Sequence, residues 1–325
     1  MTTLGQIMLK VLSYVRKQLY LLRMIPSQAR LARIKRDQKT VFHALCGDFP
    51  KIYGKLKKYD IGEFTTPVWE QLNAEIESAL LPYPAFSFLS NPRIRETMVI
   101  TDFGRVLKQE LTMLEKGFSE DRLKILLEED YVGNPLIINS TYLTSHNSIH
   151  HLYHLIKFLE KTKSNLDEIS TVVEWGGGYG NLAKIFRRLK SATHTYIIID
   201  TPLFTSIQWL YLTATLGEEN VNLLQNPEDI VHLGKINLIP ICFVDHHQIS
   251  ADLFISTWAL SESSQFSQDY VVAHEWFKSR HLLIAYQKSI ADYLPDSDRV
   301  GTLADVSGAF IEEIDFLPGN YYAFR

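Results

Sequence analysis

Residues 171–181 read TVVEWGGGYGN, and Asn181 opens the run NLAKIFRRL. The β-branched residues Thr171, Val172 and Val173 predict a buried strand, the glycines at 176, 177, 178 and 180 a sharp turn, and the run beyond them a helix. Glycine stands wherever a side chain would keep a ligand from the backbone. Such a turn is expected to present free amide N–H groups and the positive end of a helix dipole to a polar ligand, a nucleotide-type molecule first of all. A turn needed only for tight packing would require neither four glycines nor an acid placed to match them.

Spacing narrows the ligand. The dinucleotide fingerprint G-x-G-x-x-G needs a third glycine for close helix packing over a pyrophosphate, and that position, counted from Gly176, is Asn181. The pattern is instead E-x-G-x-G-x-G, from Glu174 to Gly180. This resembles motif I of the class I S-adenosylmethionine-dependent methyltransferases. A second apolar run, TYIII at 195–199, ends on Asp200. An acid roughly 20 residues beyond the glycines suits hydrogen bonding to ribose hydroxyls, a spacing that fits NAD as well as S-adenosylmethionine, so the glycine pattern carries the choice.

Three further stretches, EWGGGYGNLAKIF, IIIDTPLFTSIQWLYL and ADLFISTWALSES, together with the upstream YVGNPLIINSTYLTSHNSIHHLYHL, resemble a sugar O-methyltransferase family of bacterial polysaccharide clusters, over roughly residues 131–287. The resemblance implies an α/β, Rossmann-like class I core, with a mostly parallel seven-stranded sheet and a C-terminal antiparallel hairpin, preceded by a helical N-terminal region. It implies S-adenosyl-L-methionine as cofactor, held by Glu174, Gly176, Gly177, Gly178, Gly180, Asp200 and Pro202. It also implies an acceptor that is a sugar hydroxyl of a surface polysaccharide, a glycolipid or a nucleotide-linked sugar. The N-terminal end of the helix IHHLYHLIKFL should sit over the cofactor, so that Asn147, His150 or His151 touches the acceptor. The loop after the fourth strand would border the transferred methyl with Trp258, Ser261 and Glu262.

Composition is that of an ordinary globular chain, 46% hydrophobic and 22% charged over 325 residues, long enough for a large core with a smaller helical part. Two cysteines, Cys46 and Cys242, build no disulfide framework or zinc site, which favours a reducing cytoplasm. Charge is uneven: residues 1–40 hold nine Lys/Arg against one acid, a net +8, so the remainder carries −12 of the overall −4.

Leu4, Met8, Val11, Val15, Leu19 and Leu22 recur at steps of three and four between basic residues, predicting an amphipathic helix over 4–25 that ends near Pro26. Charges interrupt every apolar run well short of the roughly 18 residues of a transmembrane span, and Lys10 breaks any signal-peptide core. The helix suits packing on the body or on a second copy in a homo-oligomer, or contact through residues 1–38 with an anionic inner-membrane leaflet. Nucleic acid is not expected, since no binding motif accompanies the arm and the body is acidic. The chain divides into this arm (1–40), a helical substrate-side cap (41–140) and the cofactor-binding core (141–325).

Within the core, Pro202 opens a helix that stops at Gly217. Val221–Leu224 reads as the third strand, with INLIPICFVD an additional strand or the true third one. The latter ends on Asp245, His246 and His247, polar groups where an open α/β sheet places ligands. Strand 253–256, a helix over 265–279, strand 281–287 and a hairpin of 309–317 with 321–325 complete the alternation.

Methyl transfer from a sulfonium is an in-line displacement, so the protein must hold the acceptor oxygen in near-attack geometry and remove its proton. Glu262, His246 and His247 are the candidate bases: histidine has the better matched pKa, Glu262 the better defined position. His150 and His154 share a helix face at a spacing two metal ligands can use, but no third ligand is spaced to join them, and no metal is expected. The same core would serve a methyltransferase of a small natural product or an amine. Other readings are a catalytically silent nucleotide-binding scaffold of a polysaccharide assembly complex and a nicotinamide-dependent sugar oxidoreductase, the latter disfavoured by Asn181.

Overall fold

The computed structural model describes residues 32–99, 104–190, 194–288, 296–314 and 317–325. The helix expected over 4–25, and with it most of the basic arm, lies outside the described residues.

Eight strands form one sheet: β1 (Thr171–Trp175), β2 (Thr195–Asp200), β3 (Val221–Leu223), β4 (Ile236–Pro240), β5 (Leu253–Thr257), β6 (His281–Gln287), β7 (Phe310–Glu313) and β8 (Asn320–Phe324). Their spatial order is β3-β4-β2-β1-β5-β6-β8-β7, parallel except for β8, which runs antiparallel to both β6 and β7. This is the class I methyltransferase-like Rossmann arrangement with its C-terminal antiparallel hairpin. The expected seven strands become eight because both candidates for the third strand form. β4 pairs with β2 as the sheet continues outward, and the short β3 covers its far side.

β1 is central, with Val172 in register with Tyr196 of β2 and Leu253 of β5. Strands covered on both faces read as unbroken apolar runs, and alternate residues divide between two layers. Val172, Tyr196 and Ile198 pack with Leu182, Phe186 and Leu210, whereas Val173, Ile197 and Ile199 pack with Val271, Trp276 and Val300. The helices His146–Thr162, Asn181–Leu189 and Pro202–Leu216 thus cover one face, and Gln265–Ala273 and Arg299–Val306 the other. Residues 42–127 contribute helices to the first layer through Phe42, Phe49, Ile76, Leu80 and Leu126.

A buried ionic cluster ties this helical part to the core. Lys184, fully buried, lies 3.2 Å from Glu129 and 3.2 Å from Asp130, and donates to Tyr211 Oη at 2.7 Å. Arg188 adds a 2.7 Å bond to Asp130. The other Glu129 oxygen accepts from Ser145, the N-cap of helix His146–Thr162, at 2.5 Å, and from Ser148.

Two local expectations change. The helix expected over 265–279 stops at Ala273, and Glu275, Trp276, Phe277 and Lys278 all take positive φ (53°, 56°, 57° and 57°). A left-handed residue costs about 1–2 kcal/mol, and burial of both large neighbours offsets it: Trp276 is 2% exposed and Phe277 3%. Strand β4 ends at Pro240, and Ile241–His246 coils into a 3₁₀ turn that carries Asp245 and His246 to the surface.

Candidate active site

A cavity of about 640 Å³ opens over the carboxyl ends of β1, β2 and β5, the edge where parallel sheets bind ligands and within the usual size of small-molecule sites. Its floor is the glycine loop and its roof comes from the helical part, Phe64 to Trp69 and Glu96 to Val99. Two serines attach the first roof segment to the core: Ser264 donates to the Glu63 carbonyl at 2.6 Å and Ser267 to the Phe64 carbonyl at 2.7 Å.

The loop is built differently from the expectation of free amides. Gly176 N–H donates to Ile199 O at 2.9 Å, Gly177 N–H to Asp200 Oδ2 at 3.0 Å, and Gly180 N–H to Gly177 O at 2.8 Å. Most of the glycines serve packing as well. A Cβ on Gly176, whose φ is +73°, would stand 2.2 Å from Ala259 Cβ, and one on Gly177 would stand 2.7 Å from Ile198. Only Gly178 leaves open space in front of it. Gly180 packs on Leu212 and does not line the cavity.

Asp200 organises the loop. Besides Gly177 it accepts from Gln208 Nε2 at 2.8 Å and from Thr201 N at 2.8 Å, and Gln208 also bonds the Gly178 carbonyl at 3.0 Å. Burial pushes the Asp200 carboxyl up to about 7 despite these donors. Beside it the Thr201 hydroxyl is buried without a partner and borders the cavity. A carboxylate with one lightly used oxygen next to an orphaned hydroxyl fits a ligand edge carrying vicinal hydroxyls, which is what a ribose offers. Pro202 is buried at the start of its helix and does not reach the cavity; Thr201 stands in that place. Glu174 borders the cavity, accepts from Tyr196 Oη at 2.9 Å, and is pushed up to about 8 by burial.

Of the residues expected to meet the acceptor, Asn147, His150, His151, Trp258 and Glu262 all line the cavity. Asn147 donates to Met98 O at 2.8 Å and so joins roof to core. His151 accepts from Asn181 at 3.0 Å and is pushed down to about 3 by burial and by neighbouring His150 and Lys184. Trp258 follows β5 with φ +64°, its indole N–H bonded to Asn320 Oδ1 at 2.8 Å. Glu262 faces the cavity and is pushed up to about 7 by burial. Ser261 does not line the cavity; its hydroxyl donates to Trp258 O at 2.7 Å.

His246 and His247 are not brought to this site. His246 is exposed on the 3₁₀ turn, and neither histidine lines the cavity. Among the described residues no group of three or more His, Cys, Asp and Glu is arranged to hold a metal. Residues that sequence reasoning passed over include Glu110, Asn320, Gln287 and the roof residues, each from an element distant in sequence. Asn181 was visible as the departure from the dinucleotide fingerprint, and its side chain links the glycine-loop helix to His151.

No protein-family model and no curated protein matches the chain. Among solved structures, the chain is similar to the mitomycin 7-O-methyltransferase MmcR, with 13% identity over 77% of this chain and 74% of that one and a TM-score of 0.37. It is also similar to an O-methyltransferase family protein from Burkholderia thailandensis, with 12% identity over 94% and 97% and a TM-score of 0.33. The match to the pyocyanin biosynthetic protein PhzM, at 12% identity and a TM-score of 0.34, spans 55% of this chain and about half of that one, 56%. Strand order and the glycine loop, not these likenesses, carry the assignment of a class I methyltransferase-like fold.

Proposed function

We propose that the protein is an S-adenosylmethionine-dependent O-methyltransferase whose acceptor is a sugar hydroxyl. The observation that carries the cofactor reading is the junction of Asp200 and the unpartnered Thr201 hydroxyl beside a loop whose amides at 176, 177 and 180 are already bonded within the protein. A pyrophosphate draws on free loop amides; a ribose draws on the acid. When bound, the cofactor supplies a methyl group already activated on a sulfonium. The residues of this chain would then orient the acceptor and accept its proton.

Support for a sugar is the mixture of flat aromatic faces, Trp69 and Trp258, with Asn147, His150, Glu262, Gln287 and Asn320 around one chamber. Rings pack against the apolar face of a sugar while polar groups select its hydroxyls. A second reading, transfer to an amine, has its own observation: among the described lining residues there is no Lys or Arg, while Glu96 and Glu262 face the cavity.

Calorimetric titration with S-adenosylhomocysteine and, separately, NADH tests the cofactor reading. Binding of the first alone is the expected result, and binding of NADH alone would replace it with a sugar oxidoreductase. Tritium transfer from labelled cofactor to neutral glycosides or to primary amines then separates the two acceptors.

A further inference from the structure

Resting on the O-methyl transfer reading, we propose that His150, oriented by Glu110, takes the proton from the acceptor hydroxyl. The pair joins the helix Gly104–Gly117 of the N-terminal part to the helix His146–Thr162 of the core. His150 Nδ1 lies 2.6 Å from Glu110 Oε1, with the residues 5% and 1% exposed. A carboxylate against Nδ1 fixes the proton on that nitrogen and leaves the Nε2 lone pair free to accept another. Among the described residues Nε2 has no hydrogen-bonding partner, and the ring borders the cavity.

The ring is held on three sides. Its plane lies on the Trp258 indole, with centroids 5.4 Å apart and 23° between planes, and the His154 ring meets it edge-on at 4.0 Å. Trp258 is itself fixed by Asn320 and by its amide bond to Ala285 O at 2.7 Å. The strained positive φ of Trp258 thereby serves to lay the indole against the imidazole.

His151 and His154, on the same helix, are engaged differently. His151 Nδ1 is taken by Asn181, and His154 Nδ1 lies 2.5 Å from Tyr322 Oη, both rings being kept neutral by burial. Of the three, His150 alone has a carboxylate partner. Among the described residues, the charged and titratable groups around it are Glu110, His151 and His154, Tyr322 behind His154, Lys184 beyond His151, and Glu96, Glu174, Tyr179, Asp200 and Glu262 elsewhere on the cavity wall.

When bound, the cofactor would supply the methyl group, its sulfur keeping the electron pair of the C–S bond that is exchanged for the new C–O bond. The hydroxyl proton moves to His150 Nε2. Glu110 stabilises the resulting imidazolium until the proton leaves to solvent.

The test uses the full chain saturated with S-adenosylhomocysteine and labelled with ¹⁵N-histidine. Imidazole NMR should show His150 with Nδ1 protonated and Nε2 bare at pH 8, and Glu110→Gln should weaken that preference for Nδ1. Methyl transfer is then followed on a panel of methyl hexopyranosides and nucleotide-linked hexoses. His150→Gln should lower kcat by about 10²- to 10³-fold, with the affinity for S-adenosylhomocysteine within threefold. Glu110→Gln should lower kcat less and shift the acid limb of its pH profile downward, which a merely structural carboxylate would not do. A protonated Nε2 in the resting protein overturns the proposal even if no panel sugar reacts, as does His150→Gln that keeps kcat within threefold. Failure of S-adenosylhomocysteine to bind would instead overturn the cofactor reading.

Discussion

Replacing Asp200 by alanine removes the acceptor of three hydrogen bonds at once, from Gly177 N, Thr201 N and Gln208 Nε2. Gln208 keeps its bond to the Gly178 carbonyl, but the Gly177 amide is left without an acceptor. A buried donor left unpaired costs about 1–3 kcal/mol, so the variant should lose stability on that scale. If the more lightly used oxygen of the wild-type carboxylate holds a ribose hydroxyl, cofactor affinity falls by a further 1–3 kcal/mol or so, about 5- to 150-fold in Kd for S-adenosylhomocysteine by calorimetry. The pH dependence carries a sign. Burial raises this carboxyl from 3.8 to about 7, so its neutral form is the one the folded state favours. Its stabilising contribution is therefore full below the unfolded value and is lost as pH rises through about 7. Asp200→Asn, uncharged at every pH, should flatten the fall in urea midpoint that the wild type shows between these values. An unchanged Kd in a folded Asp200→Ala protein would refute the placement of ribose at this carboxylate.

Gly176→Ala sets a methyl 2.2 Å from Ala259 Cβ at a φ of +73°, and should cost at least about 2 kcal/mol in urea denaturation. Lys184→Met leaves the buried Glu129 carboxylate without its cation, and a loss of about 3–5 kcal/mol is expected, read as a lowered Tm. Deleting residues 1–31 should leave S-adenosylhomocysteine affinity intact and abolish binding to anionic vesicles. The cut stops there because Gln38 donates to Asp130 and accepts from the Tyr131 amide. Absence of vesicle binding by the full chain would remove the membrane role of the arm.

The core was legible because its elements are locally encoded. β1, its glycine turn and the helix after it follow one another within 19 residues, and β2 ends on its acid at a fixed distance. The rest of the cavity lining was legible only in part. Trp258 and Glu262 could be placed because they follow a strand, whose end is where such folds bind. His246 and His247 also follow an apolar run, yet Pro240 ends the ladder and the turn after it leads outward. Glu110 gave no signal, for a single glutamate on an amphipathic helix looks the same whether it meets water or a histidine 40 residues away. Of the loop amides expected to be free, that of Gly177 goes to Asp200, that of Gly176 to the Ile199 carbonyl and that of Gly180 to the Gly177 carbonyl, partners that a glycine count does not reveal.

The two serine contacts that tether the roof at residues 63 and 64 constrain how the site opens. With Ser264 and Ser267 holding one end and Asn147 holding the Met98 carbonyl at the other, the roof is pinned at both ends, and the cavity does not open by a swing about either tether alone. Any opening beside Glu96 to Val99 must first break the 2.8 Å bond from Asn147 to the Met98 carbonyl.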